Sequence, residues 1–87
     1  MAPSRRSVFP GFDQLVDRRR QVVAELTQER QRLGLSQTEV AARMQTSQSA
    51  VARLEAGDGD LRLSTLQRYA AALGRDLEWR LARRPEP

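Results

Sequence analysis

The sequence contains no cysteine, no histidine and no lysine. Without Cys there is no disulfide scaffold, no thiolate metal site and no thiol redox chemistry. Without His there is no imidazole to move protons near neutral pH. Paired nucleophile–base arrangements and Gly-rich phosphate loops are missing as well, so an enzyme is not expected. No apolar run is long enough to span a membrane, and the N-terminus lacks the apolar core of a secretion signal. The expectation is a cytoplasmic protein with no metal, no cofactor and no membrane partner.

What is present is a chain of 87 residues, enough for one small domain with a modest core. Stability shared with a second subunit is therefore expected. The 15 basic side chains, all Arg, face 11 acidic ones, for a net charge of +4. The guanidinium fork suits bidentate recognition of phosphates and base edges, although the codon bias of a GC-rich genome yields the same composition. The charge permits nucleic-acid binding without demanding it.

Along the chain, residues 1–11 carry Pro, Gly, Ser and an Arg pair without periodicity and read as a flexible arm. From Asp13, a candidate N-cap, Leu15, Val16, Val22, Val23, Leu26 and Leu33 recur at helical spacing until Gly34. The run Asp17-Arg18-Arg19-Arg20 reads as a solvated face of that helix. Ser36-Gln37-Thr38-Glu39 spells a capping box, and Val40, Ala41 and Met44 form the buried side of the helix it opens. Thr46 or Ser47 caps the next helix, which buries Ala50, Val51 and Leu54 and ends before Gly57. Ser64-Thr65-Leu66-Gln67 spells a second box, opening a helix with Leu66, Tyr69, Ala70 and Leu73 inside and Gly74 as its stop.

Two short helices joined by a three-residue turn cross steeply only where their contact is small, and Ala41 supplies a small contact. Val51 and Leu54 anchor the second helix, leaving Ser47, Gln48, Ser49 and Arg53 polar on its other face. A helix so anchored fits a DNA major groove, where Gln pairs with adenine and Arg with guanine. Thr46 joins this set at the turn.

The segment "LTQERQRLGLSQTEVAARMQTSQSAVARLEAG…LSTLQRYAAALG" resembles the Cro/C1-type (XRE) helix-turn-helix family of phage repressors and bacterial regulators. The resemblance implies an all-α, lambda-repressor-like bundle over residues 12–75. It also implies a phosphate contact by Gln37, base contacts from Ser47, Gln48, Ser49 and Arg53, and a buried ion pair between Arg30 and Glu55. Two features depart from the pattern. Gln45 stands where the family usually has Gly, in a left-handed conformation that costs a non-Gly residue about 1 kcal/mol. The following loop reads Asp58-Gly59-Asp60 where Lys or Arg is usual; Arg62 is expected to replace the lost phosphate contact while both carboxylates point away.

At the C-terminus Leu77, Trp79 and Leu81 alternate with Glu78, Arg80 and Ala82, which predicts a strand over 76–82 rather than the short fifth helix of phage repressors. A lone strand needs a partner, and a symmetry mate provides one, with Leu77, Trp79 and Leu81 buried in a homodimer and 83–87 left as a tail. Such a strand is similar to those of antitoxin regulators of the HipB and HigA kind. Two functions follow from the sequence. One is a transcriptional repressor reading palindromic double-stranded DNA as a homodimer. The other is an antitoxin that occludes a protein toxin and autoregulates its operon.

Overall fold

The computed structural model describes residues 12–78, with side chains from residue 18 onward. Four helices follow in order: α1 (Phe12–Arg32), α2 (Gln37–Met44), α3 (Gln48–Glu55) and α4 (Leu63–Ala72). Among the described residues there is no strand, and no helix is long and apolar enough to cross a membrane.

Hydrophobic spacing explains the packing. Val23 and Leu26 of α1, Val40, Ala41 and Met44 of α2, Val51 and Leu54 of α3, and Leu66, Tyr69 and Ala70 of α4 form one buried cluster, closed by Leu73. Helices α2 and α3 have eight residues each, too few to persist in isolation. Their stability must come from this core, where each fully buried Val or Leu contributes about 1.5–3 kcal/mol. Ala41 is 2 % exposed in the core, so a larger side chain there would have to displace its packed neighbours. At the far ends of α2 and α4 two guanidiniums are exchanged. Arg43 Nη1 donates to the Ala72 carbonyl at 2.8 Å, and Arg68 Nη2 donates to the Met44 carbonyl. Each satisfies a terminal carbonyl at the end of the helix dipole that favours a cation.

All four helices stop on the same backbone turn. An N–H beyond the end reaches back five residues: Leu35 to Arg30 at 3.1 Å, and Thr46 to Ala41, Asp58 to Arg53 and Arg75 to Ala70 at 2.9 Å each. The turn needs one left-handed residue. Gly34, Gly57 and Gly74 supply it after α1, α3 and α4, whereas Gln45, with φ 59°, supplies it inside the helix-turn-helix. The expectation for Gln45 therefore holds. Gln45→Gly should raise stability by about 1 kcal/mol, read as a higher Tm. A lower Tm would mean that the Gln45 side chain contributes more than its backbone costs.

Local signals were legible where the side chain meets its own helix. Ser36 Oγ accepts from Glu39 N at 3.0 Å and Glu39 Oε1 accepts from Ser36 N at 2.9 Å, completing the expected capping box. Of the two candidate caps for α3, Ser47 is the one used, accepting from Ala50 N at 3.1 Å. Four expectations need correction. Asp13 lies inside α1, which already includes Phe12, so it is not the N-cap. Leu33 follows the last helical residue and is exposed. Helix α4 begins at Leu63, before Ser64, and its N-cap Arg62 makes no side-chain cap. The Thr65 hydroxyl is instead drawn upstream to Asp60 Oδ2 at 2.7 Å.

The fourth correction concerns the C-terminus. Residues 75–78 have no regular structure, so the described part of the predicted strand is not a strand in the single chain. A strand has no hydrogen-bond ladder without a neighbour. Leu77 is half-buried against the core, while Trp79 and Leu81 lie outside the described residues, as does the arm at 1–11.

Candidate nucleic-acid interface

Helix α3 is held by Val51 and Leu54, both buried, and its opposite edge is open. Thr46, Ser47, Gln48, Ser49 and Arg53 are all exposed there. Ser47 Oγ lies 3.2 Å from Ser49 Oγ, so the cap and its neighbour share a hydrogen bond. Because 48, 49, 52 and 53 recur at helical spacing, the side chains at those positions project from one side.

Behind that edge runs a polar chain that reaches the core. Gln48 Nε2 donates to Gln37 Oε1 at 2.7 Å, and Gln37 Nε2 donates to Glu55 Oε1 at 2.9 Å. Glu55 in turn accepts from Arg30, Nε to Oε2 at 2.7 Å and Nη2 to Oε1 at 3.0 Å, and from the Tyr69 hydroxyl. Arg30 Nη1 donates to the Leu35 carbonyl at 2.8 Å. The side chains of Arg30 and Glu55 are only 11 % and 8 % exposed, so the pair is a buried one. Four donors on one carboxylate fill its acceptor sites.

The protonation states follow from this geometry. Burial pushes the Glu55 carboxyl up, but the hydrogen bonds from Arg30, Tyr69 and Gln37 outweigh it and hold the group below its ordinary value. Arg30 is raised, chiefly by its bonds to Glu55, and Tyr69 is raised by burial and then by the same carboxylate. All three therefore keep the charge states that the network requires at neutral pH.

The sequence reading placed Gln37 on a phosphate and Tyr69 among core apolar residues, and it missed both as members of this network. A buried Tyr that must find a partner for its hydroxyl was the available signal. Gln37 has its amide engaged on both sides, linking α2 to α3.

The loop between α3 and α4 is drawn tightly onto the recognition helix. A Cβ on Gly59 would lie 2.9 Å from Leu54 N and 3.0 Å from Leu54 Cα. Arg19, expected to be solvated, instead donates from Nη1 to the Leu61 carbonyl at 3.2 Å and ties the loop to α1. Asp60 lines a cavity of about 260 Å³ beside α3, together with Thr46, Arg53, Thr65 and Arg68. Its charge is matched by Arg62, Nη2 to Oδ2 at 2.8 Å. Arg62, the expected phosphate contact, is thus occupied by a carboxylate of its own chain.

A helix-turn-helix family profile matches residues 26–80, which include α2, α3 and α4 and the turn between α2 and α3. No curated protein and no solved structure matches the chain.

Proposed function

Since the chain belongs to the Cro/C1-type helix-turn-helix family of DNA-binding transcription regulators, we propose that it is a repressor that reads a two-fold symmetric operator as a homodimer. The observation that carries this reading is α3 itself, an eight-residue helix anchored by Val51 and Leu54 that presents Gln48, Ser49 and Arg53 to solvent. In a major groove Arg53 is suited to guanine O6 and N7, and Gln48 to adenine N6 and N7. Ser47, Ser49 and Thr46 sit at the helix start, where hydroxyls reach backbone or base edges. Gln37 fixes the amide of Gln48 and so orients a base reader, in addition to any phosphate it meets.

Dimerisation is the second part of the proposal. Leu77 lines an open groove with Val22 and Leu26 on the outer side of α1, and it opens the alternation Leu77, Trp79, Leu81. An apolar edge continuing from a half-buried Leu fits pairing with a second copy. An antitoxin role would add a protein partner without altering the DNA-reading surface.

The test is a footprint with variants. The dimer should protect half-sites about 34–36 Å apart on one face of the duplex, with binding that falls steeply with salt. Arg53→Ala or Gln48→Ala should cost about 1–3 kcal/mol on the operator and relax base preference. Gln37→Ala should weaken the operator more than random DNA, because it frees the Gln48 amide, while any phosphate contact it makes adds an equal loss on both. An asymmetric footprint, or equal losses on both DNAs for Arg53→Ala, sinks the assignment.

A further inference from the structure

The loop after the recognition helix carries acid where the rest of the surface would attract DNA. Asp60 Oδ1 accepts from the Arg62 backbone N–H at 2.9 Å and from Arg62 Nε at 3.0 Å. Its Oδ2 accepts from Arg62 Nε at 3.0 Å, from Arg62 Nη2 at 2.8 Å and from the Thr65 hydroxyl at 2.7 Å. A guanidinium fork and a hydroxyl closing on two oxygens are what a phosphate group would receive from the same residues. The cluster is not remote from the reading edge, because Asp60 and Thr65 line the cavity that Thr46 and Arg53 also line. The Arg62 side chain is 77 % exposed and that of Asp60 39 %, so nothing but the carboxylate keeps Arg62 from an arriving anion.

We propose that Asp60 is an internal competitor for DNA phosphate, which holds Arg62 off the backbone and thereby lowers the sequence-independent part of DNA affinity. The proposal rests on the DNA-binding reading, in which the face bearing Thr46 and Arg53 meets the duplex. Phosphate contacts position a protein without carrying sequence information, whereas base contacts specify. Masking one Arg weakens operator and random DNA alike and leaves base reading to Gln48 and Arg53. The chain then leaves wrong sites faster at a given salt concentration. The pair is built for this because it is local and exposed: opening it breaks no core contact.

The experiment is a retardation titration with a random-sequence duplex and with the operator, across a series of salt concentrations. Asp60→Asn keeps an oxygen to accept from the Arg62 N–H and Thr65 but removes the charge; Asp60→Ser is a second turn-forming variant should the first melt early. Either should tighten binding to both DNAs by roughly five- to tenfold near 0.1 M salt and steepen the salt dependence by about one counterion. Arg62→Ala should lose about fivefold more affinity in the Asp60→Asn background than in the wild-type background, since only there does the guanidinium reach phosphate. Unchanged affinity in both Asp60 variants overturns the proposal. So does an equal Arg62→Ala loss in the two backgrounds, which would make Asp60 a simple repulsive charge. If the wild type binds neither DNA and the Asp60 variants bind neither, the DNA-facing assignment of this surface fails first. Gain of random-duplex binding by the variants alone supports the competitor even without a known operator.

Discussion

Glu55→Ala is expected to destabilise the domain by about 3–5 kcal/mol, the cost of leaving a buried charge without its partner. A chain of this size has roughly 4–13 kcal/mol of total stability at about 0.05–0.15 kcal/mol per residue, so this one substitution removes a large share. The loss is not that of a surface pair. Arg30, 11 % exposed at its side chain, would keep its charge with only the Leu35 carbonyl to accept from it. The Tyr69 hydroxyl and the Gln37 amide would lose an acceptor as well.

The network also changes what a compensating double variant should show. Replacing Arg30 and Glu55 together with Met and Leu removes both charges and should cost much less than either single change. It still strands the Tyr69 hydroxyl in the core, which costs about 1–3 kcal/mol. Adding Tyr69→Phe should therefore recover stability in the double variant while lowering it in the wild type. Urea melts of the singles, the double and the triple decide this. Near-neutral singles would mean that solvent reaches the pair. The pH dependence has a fixed sign. Glu55 is held below its ordinary value in the folded chain, so the unfolded chain binds more protons in acid. Its contribution is fully present above about pH 4.3, the unperturbed Glu value, and is lost as pH falls through the folded value.

How much of this was legible in the sequence depended on the range of each interaction. The Ser36–Glu39 box and the Val40, Ala41, Met44 stripe lie within one helix, and local chemistry alone writes them. The Arg30–Glu55 pair spans α1 and α3, and it was legible only through the family resemblance. Its other two donors were not, because Gln37 and Tyr69 come to Glu55 from α2 and α4 only once the core has closed. The Ser64 box was misread at its boundary. The helix starts one residue earlier than that box requires, at Leu63, so Ser64 lies inside the first turn and cannot cap it. Arg19 looked like part of a solvated charge run until the distant loop carbonyl of Leu61 was folded beneath it. The proposed strand over 76–82 differs in kind, since a ladder between two chains would not appear in one.

Pairing of that proposed strand carries the second large effect. Trp79→Ala is expected to weaken dimerisation by about 3–5 kcal/mol, the usual range for truncating a buried Trp. The alternation of Leu77, Trp79 and Leu81 in sequence and the half-buried position of Leu77 against the core support this expectation. If two copies pair antiparallel about an axis near Trp79, Leu77 of one faces Leu81 of the other and Glu78 faces Arg80. Apolar pairs then share one face and opposite charges the other, so the register that buries the apolar set also satisfies the charges. Operator affinity should fall along with the dimer, because two linked half-site contacts act at a high effective concentration and a single one does not. Glu78→Ala should do far less, since an exposed cross-strand ion pair contributes at most about 1 kcal/mol. Sedimentation of the Trp79→Ala protein at low micromolar concentration gives the result. A variant that stays dimeric and still binds its operator rules out the paired strand, and a short fifth helix beginning at Asp76 then becomes the better account of the C-terminal segment.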